Sequence, residues 1–227
     1  MQSVQEATFA ALFQNARHHT RNRGCILIHA DEMPRGVFFL RRGYVKTYDI
    51  TTEGTFQLIA ITGPSEIFPL YWSFDTSTND LFYEAMCEIE FSIVPRDTFR
   101  DQVMSDRRFL KLALATAMNS LRSSQKRMQS LQLPFARQRI AHQLLFFAEH
   151  YGKKIGSEFI IPMPLTYDDF AHTLNINRAT VNREMLQLIE EELIMRESRH
   201  FIIKKPRALQ AAAEGSLNRM FTAQAPA

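Results

Sequence analysis

Cysteine is almost missing from this chain of 227 residues: Cys25 and Cys87 are the only two, and they stand 62 positions apart. That excludes a disulfide framework and a four-cysteine metal cluster within one chain. A reduced, cytoplasmic setting is the expectation that follows. Long apolar runs are missing too. None approaches the roughly 18 residues that a membrane-spanning helix requires, so no membrane is expected as a partner. The polar stretch from Met1 to Arg23 lacks the apolar core of a signal peptide. Strong charge of one sign is missing as well, with a net charge of +3. From Phe135 onward, 12 Lys and Arg face 10 Asp and Glu. Any hold on an anionic polymer must then come from a local patch, not from a global field. No Ser-His-Asp, Walker or HExxH pattern occurs. His29 is the only histidine inside the stretch that reads as β below, since His18 and His19 precede it. A cupin-like enzyme, which needs two or three His and a carboxylate, is therefore short of ligands. The chain reads as having no catalytic and no metal site.

What is present is a globular balance, 45% apolar and 22% charged. Phe9, Leu12 and Phe13 recur at helical spacing, so residues 1 to about 20 read as helix. From Gly24 the period changes. Ile26–Ile28, Val37–Leu40, Tyr44–Tyr48 and Phe56–Ala60 are short β-type runs, with Arg42-Gly43 and Thr52-Glu53-Gly54 between them. Phe82–Glu84 and Glu88–Val94 supply closing strands, and Pro95 ends the set. Short strands at this spacing suggest a jelly-roll or barrel. The helical period then returns. Leu110, Leu114, Ala117, Leu121, Ser124, Met128 and Leu131 follow each other at alternating spacings of four and three, the seam of a coiled coil. Such a narrow stripe is either a dimer interface or the buried face of a core helix. Pro134 breaks the helix. A further amphipathic helix runs from about Phe135 to Tyr151, Gly152 to Gly156 reads as a loop, and Phe159–Ile161 as a strand. After Pro206 a last helix reads from Ala208 to about Phe221.

The stretch Thr166–Arg183 carries the functional signal. Thr166 with Asp169 three positions on is close to a capping box. Phe170, Ala171 and Leu174 form one apolar face. Asn175 stands where a tight turn needs positive φ. Asn177 caps a second helix, whose buried stripe reads as Val181, Met185, Leu186 and Ile189. Two short helices joined this way are either an ordinary helical hairpin on a core or a helix-turn-helix. In the second case Arg178, Ala179, Thr180, Asn182 and Arg183 would face a DNA major groove, with Thr166 and Asn177 at the helix starts. Ile194–Arg196, a polar turn and Phe201–Lys205 read as a hairpin, a wing whose Arg196, Arg199, Lys204, Lys205 and Arg207 could reach phosphates. The alternative for those charges is a solvated edge strand.

The order of parts resembles the CRP/FNR family of bacterial transcription regulators. The segments that carry the likeness are Gly36–Lys46, Arg139–Leu145 and, most specifically, Asn177–Glu184. The fold implied is α+β: an N-terminal double-stranded β-helix of the cyclic-nucleotide-binding kind over 1–108, a long dimerisation helix over 109–133, and a winged helix-turn-helix over 134–227. The resemblance implies a homodimer on a near-palindromic double-stranded DNA operator, allosteric control from the roll, and RNA polymerase as a further partner. Arg178 and Arg183 stand where members contact base edges. Ala179 departs from the acidic residue usual there, so a half-site different from the familiar one is expected at that position.

The sensing half departs further. Members that bind cyclic AMP carry a Gly-Glu pair for the ribose and an Arg-Ser pair for the phosphate. Here Phe68-Pro69 and Asn79-Asp80 stand in those places. A phosphate in a site with Asp80 and no Arg would be left unpaired, so cyclic AMP in that mode is not expected. Iron–sulfur sensing of the FNR kind needs about four thiolates, which one subunit lacks. Phe68, Pro69, Leu70, Trp72 and Phe82, with Ser124 and Gln125 from the long helix, are candidates for an effector pocket. Haem, with His18, His19 or His29 as axial ligand, another apolar effector, and no ligand at all remain alternatives. So does a dimeric binding module that has lost its DNA contact, which the near-neutral C-terminal half favours.

Overall fold

Four consecutive apolar residues, Val37-Phe38-Phe39-Leu40, set the architecture of the first half. All four are buried, although successive side chains on a strand point to opposite faces. The strand that they open must therefore be covered on both sides. The computed structural model describes residues 9–75 and 79–215, and it divides into two units, residues 1–124 and 125–227.

In the first unit the strands are β1 (His18–Arg21), β2 (Ile26–Ile28), β3 (Val37–Arg42), β4 (Val45–Ile50), β5 (Phe56–Thr62), β6 (Ile67–Phe68), β7 (Phe82–Ala85) and β8 (Ile89–Val94). They form two antiparallel sheets ordered β1-β8-β3-β6 and β2-β7-β4-β5. Phe38 and Leu40 pack between the sheets with Val45, Phe68, Tyr83, Ile89 and Phe91. Val37 and Phe39 pack on the other side with Phe9, Phe13, Ile67, Phe99 and Val103. This is the expected roll.

Two expectations change here. The first helix ends early: residues 9–12 are helical, and His18–Arg21 is a strand paired with β8. His18 and His19 thus belong to the roll instead of preceding it. His-His-Thr-Arg has no apolar alternation to announce a strand; the signal lies in its partner, where Phe91 stacks on the His19 ring at 5.5 Å. Secondly, Pro95 does not merely end the sheet. It opens helix α1 (Arg96–Ser105), which buries only Phe99 and Val103. The portions of the first and last helical expectations over residues 1–8 and 216–221 lie outside the described residues.

Helix α2 (Arg107–Leu131) has 25 residues. Leu112 and Ala113 are buried with Phe99 and Val103. The seam positions Leu110, Leu114, Ala117, Leu121, Ser124, Met128 and Leu131 are all exposed, Leu114 by 61% and Met128 by 64%. Met118 joins them. The stripe is thus not the buried face of a core helix.

The second unit comprises α3 (Ala136–Tyr151), β9 (Lys153–Ile155), β10 (Glu158–Ile161), α4 (Tyr167–Leu174), α5 (Arg178–Glu190), β11 (Ile194–Glu197), β12 (His200–Ile203) and α6 (Pro206–Glu214). Its sheet runs β11-β12-β10-β9. The stretch expected as a loop over 152–156 contains the edge strand β9, whose residues are all exposed and which exists by pairing with β10. Phe170 lies at the centre, edge-on to Phe147 of α3 at 5.9 Å and to Phe201 of β12 at 5.5 Å. Among the described residues no helix is long and apolar enough to cross a membrane.

The turn between β3 and β4 depends on Gly43, whose φ is +86°. A Cβ there would meet the Glu88 carbonyl oxygen at 2.6 Å. Gly43→Ala is expected to destabilise the chain by about 2 kcal/mol, from left-handed strain plus overpacking. A lower urea midpoint with an unchanged slope would show it; an unaltered midpoint would refute this account of the turn.

Candidate nucleic-acid interface

Helix α4 starts where the capping arithmetic puts it. The Thr166 hydroxyl accepts from the Asp169 backbone N–H (3.2 Å), and Asp169 Oδ2 accepts from the Thr166 N–H (2.7 Å) and hydroxyl (2.6 Å). Together these satisfy donors that a helix start leaves orphaned. The helix ends at Asn175, in the left-handed region at φ 50°, ψ 54°. Asn177 then caps α5 by accepting from the Ala179 N–H at 2.7 Å. Asparagine tolerates the left-handed conformation, and its side-chain oxygen is a strong N-cap.

Along α5 the buried residues are Val181, Met185 and Leu188. Leu186, expected in this stripe, is exposed, and Ile189 is half-buried. At 3.6 residues per turn, positions i, i+4 and i+7 share a face, whereas i+5 lies about 140° away. The opposite face of the first turns is open. Asn177, Arg178, Ala179, Asn182 and Arg183 are exposed and Thr180 half-buried. These residues share one end of the unit with Thr166, half-buried at the start of α4.

Four arginines meet groups that linear reading missed. Arg178 Nε lies 3.2 Å from Asp168 Oδ1 on α4. Arg183 donates to Glu184 Oε1 through Nη2 at 3.0 Å and Nε at 3.3 Å. Arg196 of β11 stacks over the Tyr167 ring at 4.5 Å, tying the wing to the start of α4. Arg139 of α3 donates to the Leu174 carbonyl at 3.3 Å, at the end of α4. Asp168 and Arg178 are ten positions apart, and only the inter-helix turn makes them neighbours. Arg199 is exposed in the turn between β11 and β12. Two of the other basic residues are engaged, Lys204 with Glu158 at 2.6 Å and Lys205 with Glu192 at 3.0 Å.

The comparisons with known proteins agree with this geometry. Residues 138–212 match the family model described as a Crp-like helix-turn-helix domain, and residues 19–106 match that of the cyclic nucleotide-binding domain. The chain belongs to the CRP/FNR family of transcription regulators. The CRP-like cAMP-activated global transcriptional regulator of Mycobacterium tuberculosis is 23% identical over 212 residues, covering 93% of this chain and 95% of that protein. The nitrogen fixation regulation protein FixK of Rhizobium meliloti is 27% identical over 171 residues, 74% of each chain. In fold, FixK2 from Bradyrhizobium japonicum agrees with a TM-score of 0.74 at 20% identity, over 86% of this chain and 96% of that one.

Within this CRP/FNR regulator the candidate effector residues do not converge on one lining. Phe68 stacks between Phe38 (5.0 Å) and Tyr83 (5.5 Å) in the inter-sheet core. Leu70 packs against the cluster on the other side of β3. Pro69 accepts from the Ser73 hydroxyl at 3.1 Å. Trp72 is buried, with the Arg96 guanidinium 4.8 Å over its ring. Phe82 stacks on Tyr48 at 5.2 Å. Ser124 and Gln125 are exposed on α2. The physical reason is the two-residue strand β6, which sends Ile67 and Phe68 to opposite sides. Asn79, where the resemblance would put arginine, is fully buried. Its amide donates to the His29 (3.2 Å) and Leu81 carbonyls and accepts from the Tyr71 hydroxyl (3.0 Å). Burial, together with the neighbouring Tyr71, holds the Tyr83 phenol well above its usual pKa. Among the described residues no three His, Cys, Asp or Glu side chains gather as a metal site.

The double role of Thr166 in its capping box sets a stability cost. Thr166→Ala is expected to lower stability by about 1 kcal/mol. Hydrogen exchange is the check: amides in the first turn of α4 should exchange faster, and equal protection would show the cap to be dispensable.

Proposed function

We propose that this regulator acts as a homodimer on a near-palindromic DNA operator, with α5 of each copy in a major groove and the hairpin β11–β12 on the flanking phosphates. The exposure of Arg178 and Arg183 on the first turns of α5, above a fully buried Val181–Met185–Leu188 stripe, carries this reading. Each such arginine can give guanine O6 and N7 two donors. Ala179 offers no acceptor to cytosine, so the half-site differs there from one read by a carboxylate. Arg199 and Arg196 serve phosphates, which fix position without reading sequence.

The dimer reading rests on α2. Its exposed Leu110, Leu114, Met118, Leu121 and Met128 form a stripe that a second copy would cover. The protein is read as cytoplasmic, as a non-enzymatic regulator, and as a partner of RNA polymerase. The M. tuberculosis relative is cAMP-activated. For this chain we propose a signal other than cyclic AMP bound through a Glu and an Arg, because Pro69 and Asn79 hold those places and Asn79 is fully engaged. An iron–sulfur centre held by one subunit is likewise set aside on the two cysteines.

Replacing both Arg178 and Arg183 by Ala should weaken binding to a selected operator by at least about a hundredfold, at roughly 1–3 kcal/mol per bidentate contact. Fluorescence anisotropy at fixed salt reads this directly, and undiminished affinity would favour the module without DNA contact. The seam makes a separate prediction. Leu114→Glu with Leu121→Glu should convert the dimer to monomer in sedimentation, since each charge would have to enter an apolar interface. A wild-type chain that sediments as a monomer would refute the dimer.

A further inference from the structure

The two arginines on α5 are not equivalent. Arg183 is held by the adjacent residue on its own helix. Arg178 is held from another helix, by Asp168 in the first turn of α4. Both partners are largely exposed, Arg178 by 71% and Asp168 by 43% in their side chains. An exposed pair of this kind contributes little to folding stability. A carboxylate facing the phosphates of a duplex also opposes binding of any sequence. Asp168 is not needed for the cap either, because Asp169 provides the bonds to Thr166. A carboxylate in the first turn suits the helix dipole, but that does not account for its placement beside Arg178.

We infer that Asp168 is a positioning residue for sequence recognition: it fixes the Arg178 guanidinium from outside the helix so that its terminal Nη pair is presented to one base. This rests on the reading of α5 as the DNA-contacting helix. Asp168 Oδ1 forms an ion pair with Arg178 on its Nε side, 3.2 Å away. The guanidinium is a planar fork of five donors, so a carboxylate on the Nε side leaves both Nη groups for a guanine edge. Holding the fork before contact removes part of the ordering cost that a flexible arginine would meet on binding. The same carboxylate repels duplexes in which Arg178 finds no guanine. Asp168 therefore acts on discrimination in two ways, by favouring the right base and by disfavouring the rest. Ala179 makes this the more significant, because the helix itself presents no acid beside Arg178. The acid comes from α4 instead.

The test is a double-mutant cycle on the full-length chain, with Asp168→Asn and Arg178→Ala measured singly and together. The probes are a selected operator and a scrambled duplex of equal length, over a series of salt concentrations. Asp168→Asn should weaken operator binding about three- to tenfold, the cost of one side chain left to be ordered. It should tighten binding to the scrambled duplex, most at low salt, where the relieved repulsion is least screened. In the Arg178→Ala background the operator loss should disappear, leaving only the tightening seen with the scrambled duplex. Asp168→Asn that weakens both duplexes in parallel, or that acts equally with and without Arg178, would show a merely structural role and overturn the inference. Thermal midpoints of all variants separate that case from misfolding. If Arg178→Ala with Arg183→Ala leaves operator binding intact, the DNA-contacting reading of α5 falls and the inference falls with it. A normal loss there, with an additive cycle, sinks the inference alone.

Discussion

A helix of 25 residues that leaves its apolar stripe in water is the constraint on which the rest depends. Each large aliphatic side chain on it would gain roughly 1.5–3 kcal/mol if fully buried. Within one chain only Leu112 and Ala113 obtain that burial with the first unit. The seam positions face away from both, and their alternating spacing fits a straight left-handed pairing with a like helix. A second copy related by a two-fold axis would cover the stripe with the same stripe, the most economical closed solution. Two-fold symmetry in the protein would then dictate two-fold symmetry in the site that it reads.

The DNA-facing end follows a different rule, that of local polar groups satisfying each other. The first turn of α4 is closed by Thr166 and Asp169, the inter-helix turn by Asn175, and the first turn of α5 by Asn177. None of these contacts is large. Together they set where α5 begins and which residues its first turns expose. Phe170, wedged between Phe147 and Phe201, sets the other coordinate by fixing how deeply α4 sits. Because α4 is fixed, so is the place of Asp168, 3.2 Å from Arg178 Nε. A modest net charge suits this arrangement. Arginines already paired with carboxylates contribute little to a long-range field.

Much of this was legible in the sequence because its signals are local. Capping residues, the left-handed asparagine, the glycine turn at Gly43 and the four-and-three seam act within a turn or two of chain. The β3 run was legible for a different reason, since four apolar residues in succession have no solvent face to offer. What escaped reading is held by partners distant in sequence. His18–Arg21 and Lys153–Ile155 carry no alternation, and become strands only because β8 and β10 offer them a free edge. Leu186 and Leu188 differ by two positions, and which of them is buried depends on the angle at which α5 meets α3 and α4. The Asp168–Arg178 pair was invisible for the same reason: nothing in either segment points to the other until the turn folds.

On the reading proposed above, the sensing half keeps a fold without one of its chemistries. Phe38, Phe68 and Tyr83 stack in succession between the sheets, with interplanar angles of 15° and 14°. Asn79 stitches the loop around residues 29, 71 and 81. A cyclic nucleotide entering by the route that the family resemblance suggests would have to displace rings worth about 2–3 kcal/mol each in burial and break those three hydrogen bonds. In return it would find a proline where the ribose needs a carboxylate and an asparagine where the phosphate needs a cation. The balance is unfavourable on both sides, since the roll loses packing and the ligand loses its counter-charge. On the proposed reading, control of a dimer would act on that packing or on α2 directly, and the first residues to move would be those at the joint between the inter-sheet core and the outer cluster, Ile67 and Phe68.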